Sequence, residues 1–211
     1  MTIDLFISCV MDQFYPDTAK NVVKVLNAAD VDVEYNPEQT CCGKFAFNSG
    51  FVDEAKELGE KFLRDFPNDR PIVGVSASCV GYIKKRYEEL FYNTASHLEY
   101  KRLVRNIFEF TDFLVNKINI MNFGAEFNHK VVYQDTCCSL RELGLKDEGR
   151  KLLSNVKGIE ILEMKYPEVC CGFGGGFFSI QHEAISVAMA ERKIKDAMAT
   201  GAEYIVTNDI S

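Results

Sequence analysis

Two short phrases, Thr40-Cys41-Cys42-Gly43 and Val169-Cys170-Cys171-Gly172, repeat one chemical pattern about 130 residues apart in a chain with eight cysteines. Thiolates are metal ligands and redox groups. Adjacent side chains on a strand point to opposite faces, and on a helix they diverge by about 100°. A vicinal pair therefore belongs in a loop, and it suits a guest with several metal atoms better than one small ion. The glycine after each pair lets the backbone come close enough to donate N–H groups to sulfur.

Each pair has companions at matching distances. Cys9 is followed by 31 residues and then Cys41-Cys42, and Cys137 by 32 residues and then Cys170-Cys171. In the first half a further 36 residues lead to Cys79, just past PIVGVSAS. The corresponding segment of the second half, EYIVTNDIS, reaches Ser211, where the repeat would place a cysteine next. Four thiolates match the usual ligand count of an iron–sulfur cluster and also that of a tetrahedral structural zinc site. A vicinal or inter-loop disulfide is a third reading.

Other residue patterns offer less. GFGGGFF at 172–178 has the look of a dinucleotide loop, but it follows the cysteine pair rather than a bare strand end and lacks the third glycine at the required place. Gly174, Gly175 and Gly176 are instead expected to let the chain wrap a bound group, with helix-start amides facing its sulfurs. His97, His129 and His182 stand apart, and only His182, after the glycine loop, lies near a thiol set in sequence. Arg141 and Glu142 read equally well as a surface pair and as neighbours of the second thiol set. No Ser-His-Asp or paired-carboxylate arrangement is present.

The elements that must position these cysteines follow an alternating pattern. Strand-like runs at Ile3–Ser8, Val31–Tyr35 and Pro71–Ser76 are separated by helical stretches at Pro16–Ala29 and Val52–Phe66. A long helix is expected over Tyr100–Ile120, where Leu103, Ile107, Phe110, Leu114 and Ile118 recur at helical spacing. The pattern then restarts, with strands at 130–134, 159–164 and 203–207 and helices at 147–156 and 181–199. This predicts an α/β fold of two similar lobes, residues 1–122 and 123–211, each a small, mainly parallel sheet flanked by helices and related by internal duplication. The carboxyl ends of parallel strands share one edge, so Cys9, Cys41, Cys42 and Cys79 should converge, as should Cys137, Cys170 and Cys171.

Composition narrows the function classes. With 31 acidic against 24 basic side chains and a formal charge of -7, the chain has no basic field for nucleic acid or anionic lipid. The opening MTIDLFISCV has no basic start, and no apolar run reaches the roughly 18 residues of a membrane helix. A cytoplasmic protein without membrane insertion is expected, and in that reducing compartment eight cysteines point to metal or redox chemistry.

The spacing C9-x31-CCG…C79 followed by C137-x32-CCGFGGGF resembles the duplicated cysteine-rich CCG domain across essentially the whole chain. That family includes the cysteine-rich subunit of heterodisulfide reductase, the iron–sulfur subunits of glycolate oxidase and anaerobic glycerol-3-phosphate dehydrogenase, and the lactate utilisation protein A group, which this chain is most similar to. The resemblance implies an electron-transfer subunit that works with partner subunits to oxidise L-lactate, or a similar 2-hydroxy acid, to the 2-oxo acid. It implies electron delivery to an acceptor protein or a quinone-linked chain, with the substrate-oxidising site on another subunit. It also implies a 4Fe-4S cluster, cubane or non-cubane, held by Cys9, Cys41, Cys42 and Cys79 and by Cys137, Cys170 and Cys171, with Cys138 as a further candidate. Gly43, Gly172, Gly174 and Gly175 are the implied backbone contacts. The family motif often closes as CxxC, whereas this chain has Cys79-Val-Gly-Tyr82; a histidine is expected where Cys138 stands. A zinc-stabilised scaffold and a disulfide reductase are the alternative functions.

Overall fold

The computed structural model describes residues 1–210. Strand β1 (Thr2–Phe6) leads into helices α1 (Cys9–Phe14) and α2 (Pro16–Ala28), then β2 (Asp32–Glu34), α3 (Lys44–Asn48), α4 (Val52–Asp65), β3 (Ile72–Gly74) and α5 (Ala77–Phe91). Next come α6 (His97–Asn106), β4 (Ile107–Glu109), the short α7 (Phe110–Asp112) and a π-helical turn at Phe113–Lys117. The remainder consists of β5 (Lys130–Tyr133), a second π-helical turn at Cys138–Leu143, α8 (Glu148–Ser154), β6 (Glu160–Leu162), α9 (Gly175–Gln181), α10 (Glu183–Met198) and β7 (Tyr204–Val206).

The strands form two parallel sheets, ordered β2-β1-β3-β4 and β6-β5-β7. β1 and β5 occupy equivalent central places: Leu5 lies opposite Val73 as Val132 lies opposite Ile205. The duplicated α/β architecture expected from the cysteine spacing is thus present in the strand order itself.

β1 is buried without interruption from Ile3 to Phe6 because both faces of its sheet are covered. Phe6 packs on one face with Phe62, Phe66, Tyr87 and Phe91, and its ring meets Phe62 edge-on at 4.8 Å. Ile3 and Leu5 pack on the other with Val22, Leu26, Phe113 and Leu114. Asp4 is buried between them and bonds the Arg70 guanidinium at 2.6 Å. The second sheet has a smaller buried cluster, centred on Val132, Met164 and Ala197.

The helix expected over Tyr100–Ile120 is broken. Ile107–Glu109 leaves the helix to pair in parallel with β3, with Ile107 opposite Ile72 and Glu109 opposite Gly74. Ile107 and Glu109 face inward, an alternation hidden in the sequence by apolar residues that also satisfy helical spacing. The Glu109 carboxylate then caps α7, accepting from Thr111 N (2.8 Å), Asp112 N (3.1 Å) and Thr111 Oγ1 (2.5 Å). The halves do meet in this region, α8 packing against α7 and the 113–117 turn, but also through α5 against the 138–143 turn and α3 against α9. Among the described residues, no helix is long and apolar enough to cross a membrane.

Candidate metal centre

All eight cysteines line one cavity of about 380 Å³. Each arrives from the carboxyl end of a strand. Cys9 opens α1 after β1, Cys79 lies in the first turn of α5 after β3, and Cys41 and Cys42 occupy the loop after β2. Cys137 and Cys138 follow β5, and Cys170 and Cys171 follow β6. The expected convergence within each half is therefore present, and the two sets also share a common space that the spacing did not foretell. Cys9 is exposed, Cys42 and Cys79 are buried, and the other five lie between.

The two CCG loops have the same local construction. Gly43 and Gly172 both take φ near +90°, a left-handed conformation natural to glycine, and both are buried. That turn aims the Gly43 amide at Cys41 Sγ (3.4 Å) and the Gly172 amide at Cys170 Sγ (3.4 Å). Gly174 (φ 57) and Gly175 (φ 84) carry the chain along the cavity wall into α9, and Gly176 lies against the Phe45 ring.

The thiols of the first set form a chain. Cys41 is held as a thiolate, its pKa pulled down to about 3 by hydrogen bonds from the Cys42 and Cys9 thiols and by the Gly43 and Phe45 amides. Cys9 is pushed up because its proton bonds Cys41, because it is partly buried and because it feels the charges of Cys41 and Cys79. Cys42 is raised for the same kinds of reason, through Cys41, Cys79 and full burial. In the second half burial, then the bond to Cys170, raises Cys137, with Arg141 opposing. Seven of the sulfurs thus interact in two groups, Cys9, Cys41, Cys42 and Cys79 in one and Cys137, Cys170 and Cys171 in the other, while Cys138 is paired with Lys44. Among the described residues, no three His, Cys, Asp or Glu side chains are gathered tightly enough to grip a single metal ion.

Several cavity residues carry chemistry that sequence reasoning passed over. Lys44 Nζ donates to the Ser78 carbonyl (3.1 Å) and to Cys138 Sγ (3.3 Å), so one ammonium spans the two halves. Burial works against its charge, but Cys138 and Glu142 outweigh that and raise its pKa. Burial lifts the Cys138 thiol to about 12 against the pull of Lys44. The signal for Lys44 lay in the repeat: it follows the first CCG, whereas Phe173 follows the second. Tyr82 also lines the cavity, as do Glu142 and Asp209; Ser76 Oγ donates to Asp209 at 3.2 Å. Arg141 and Glu142 are not a surface pair. Arg141 reaches the Glu168 carbonyl at 3.4 Å, while Glu142 turns inward against Gly81. His182 packs on Phe178 with ring centroids 5.1 Å apart and does not line the cavity.

The donor set fits a thiolate-held group of several atoms: eight sulfurs around one space, glycine amides donating to two of them, and a buried tyrosine hydroxyl without a partner among the described residues.

The family model of the cysteine-rich domain, CCG, matches the chain twice, over residues 3–84 and 131–211. The chain is 36% identical over 211 residues to "Lactate utilization protein A 2" of Bacillus cereus (strain Q1), a match spanning 100% of this chain and 87% of that protein. It is 38% identical over 211 residues to "Lactate utilization protein A" of Oceanobacillus iheyensis, spanning 100% of this chain and 86% of that protein. With both halves matched and relatives this similar along its full length, the chain belongs to the cysteine-rich CCG domain family, within the lactate utilization protein A group.

Proposed function

We propose that this protein is an iron–sulfur electron-transfer subunit of a multi-protein system that oxidises L-lactate, or a similar 2-hydroxy acid, to the 2-oxo acid. The observation that carries the reading is the meeting of all eight cysteines around one cavity at the strand carboxyl ends. Lobes 1–122 and 123–211 would each bring one set: Cys9, Cys41, Cys42 and Cys79, and Cys137, Cys170 and Cys171 with Cys138. A bound four-iron cluster supplies a one-electron carrier. The protein's own part is to hold it and bias its charge. Amides of Gly43 and Gly172 donate to thiolate sulfur, Gly174 and Gly175 bring the backbone close, and Lys44 places a positive charge between the sets. Exposed Cys9 marks the side from which electrons would enter or leave. The substrate site belongs to a partner subunit, and electrons pass to an acceptor protein or a quinone-linked chain. We place it in the cytoplasm, and its excess of acidic side chains fits a protein that takes no nucleic acid.

Iron, zinc and acid-labile sulfide measured on protein purified without oxygen test the reading. Iron with matching sulfide and an EPR signal on oxidation or reduction is expected, and Cys41→Ser should remove the first set's share of both. Colourless protein with stoichiometric zinc overturns the proposal in favour of a zinc-held scaffold. Turnover of disulfide substrates by the isolated chain overturns it in favour of a reductase.

A further inference from the structure

Beside the first thiol set lies a polar group that the protein leaves unsatisfied. Tyr82 sits on α5, one turn after Cys79, is 2% exposed and lines the cavity. Phe47 and Tyr87 hold its ring, with centroids at 5.5 and 5.6 Å. Its buried hydroxyl has no hydrogen-bond partner among the described residues. Tyr87, equally buried, is satisfied within the protein, its hydroxyl donating to the Cys42 carbonyl at 3.0 Å, and Tyr100, whose buried hydroxyl also lacks a partner among the described residues, does not line the cavity. A buried hydroxyl without a partner is costly and uncommon, and it calls for a missing acceptor. Tyr82 shares this wall of the cavity with Cys41, Cys42 and Cys79, so it lies beside the sulfurs of the first set.

We propose that Tyr82 is a binding residue for the thiolate-held group, its O–H donating to a sulfur that the group itself brings. The inference rests on the cluster reading given above. A donor to sulfur stabilises the more negative, reduced state and raises the reduction potential of the site it serves. The second half contributes no tyrosine among the described residues of the cavity wall. Tyr82 therefore raises the potential of the first set by a neutral donor that has no counterpart in the second, where the Lys44 ammonium meets Cys138 instead.

Tyr82→Phe removes only the hydroxyl. Three measurements on protein prepared without oxygen decide the matter: iron and sulfide content, an EPR-monitored redox titration, and melting of the metal-free form. We expect iron to be retained and the first site to become harder to reduce, its reduced-to-oxidised ratio at a fixed potential falling by up to about tenfold, which is 59 mV for one electron. Metal-free Tyr82→Phe should melt no lower than wild type, whereas Tyr87→Phe, which loses a bond made within the protein, should melt lower. Loss of iron from Tyr82→Phe protein with unchanged metal-free melting supports the same role. Full iron content with unchanged potentials overturns this inference alone, as does lower melting of the metal-free variant. Wild-type protein that takes up no iron and sulfide overturns the cluster reading and this inference with it.

Discussion

Glu109 is an acid placed where water cannot reach it. Burial pushes its pKa up to about 7, and the Thr111 hydroxyl with the amides of Asp112 and Thr111 recovers only part of the lost solvation. The nearby acidic groups, Asp112 on its own turn and Tyr133 on β5, do nothing to favour its charge. A carboxyl whose pKa is higher in the folded than in the unfolded chain is proton-linked to folding, so it favours the fold most at low pH. That contribution is full below about pH 4.5 and is lost as pH climbs to about 7. The whole effect is on the order of 3 kcal/mol. Glu109→Gln keeps an acceptor for the same amides and cannot ionise. Urea unfolding at pH 5 and pH 8 should therefore show the variant gaining on wild type by up to about that amount at the higher pH. Parallel pH profiles for the two proteins would show that Glu109 is not the linked group.

At the scale of elements, turn chemistry decides where sulfur ends up. Gly43 and Gly172 are the same device used twice, and in both a side chain would strike backbone: Ala55 O at 2.9 Å from a Cβ at Gly43, and Ser186 O at 2.6 Å from one at Gly172. Gly172→Ala would have to strain a φ of +90° and also push back α10. We expect a loss of roughly 2–4 kcal/mol in the metal-free protein, combining backbone strain with the displaced helix. Gly124, at φ +66° with nothing within 4 Å of its would-be Cβ, is the control and should lose only about 1 kcal/mol. Equal losses in the two variants, read from thermal unfolding, would remove the special role of the CCG turn. This turn was legible from sequence because a glycine repeats behind each pair. The strands were legible too, since runs such as IDLFIS and PIVGVS are short, apolar and bounded by turn residues. β4 was not, because Ile107, Phe110 and Leu114 satisfy helical spacing as well as the sheet does, and only the open edge of β3 decides between them. Lys44 and Tyr82 were invisible for a related reason, and Glu142 was legible only as one of two even readings. Each matters through a group from a distant part of the chain or through a bond it does not make, and neither leaves a local pattern.

On the scale of the whole molecule, the cavity exists only because the two halves are held together. α5 lies so close to the 138–143 turn that any side chain at Gly81 would collide with the Glu142 carboxylate and approach its Cβ to 3.2 Å. Lys44 binds Cys138, Ser76 binds Asp209, and Asn116 Nδ2 donates to Glu148 Oε1 at 3.1 Å. Apolar packing crosses the same seam, with Leu143 against the cluster around Phe6 and Leu152 and Ile210 against the cluster around Leu5. Contacts on this scale make neither half independent, so calorimetry should show a single transition whose calorimetric and van't Hoff enthalpies agree. Gly81→Val attacks the seam without touching a cysteine. The valine must swing the Glu142 carboxylate aside and also ease α5 away from the Glu142 Cβ, 3.2 Å from a Cβ at residue 81, which loosens the seam that keeps Lys44 within reach of Cys138. For this variant the calorimetric enthalpy should exceed the van't Hoff value, as expected when two units unfold separately. Iron bound by the anaerobic protein should fall in parallel, because each thiol set would keep its own turn but lose the wall supplied by the other. Two resolved transitions already in the wild-type protein would show that each half shapes its own thiol set, and the shared cavity would then be a consequence of docking rather than its purpose.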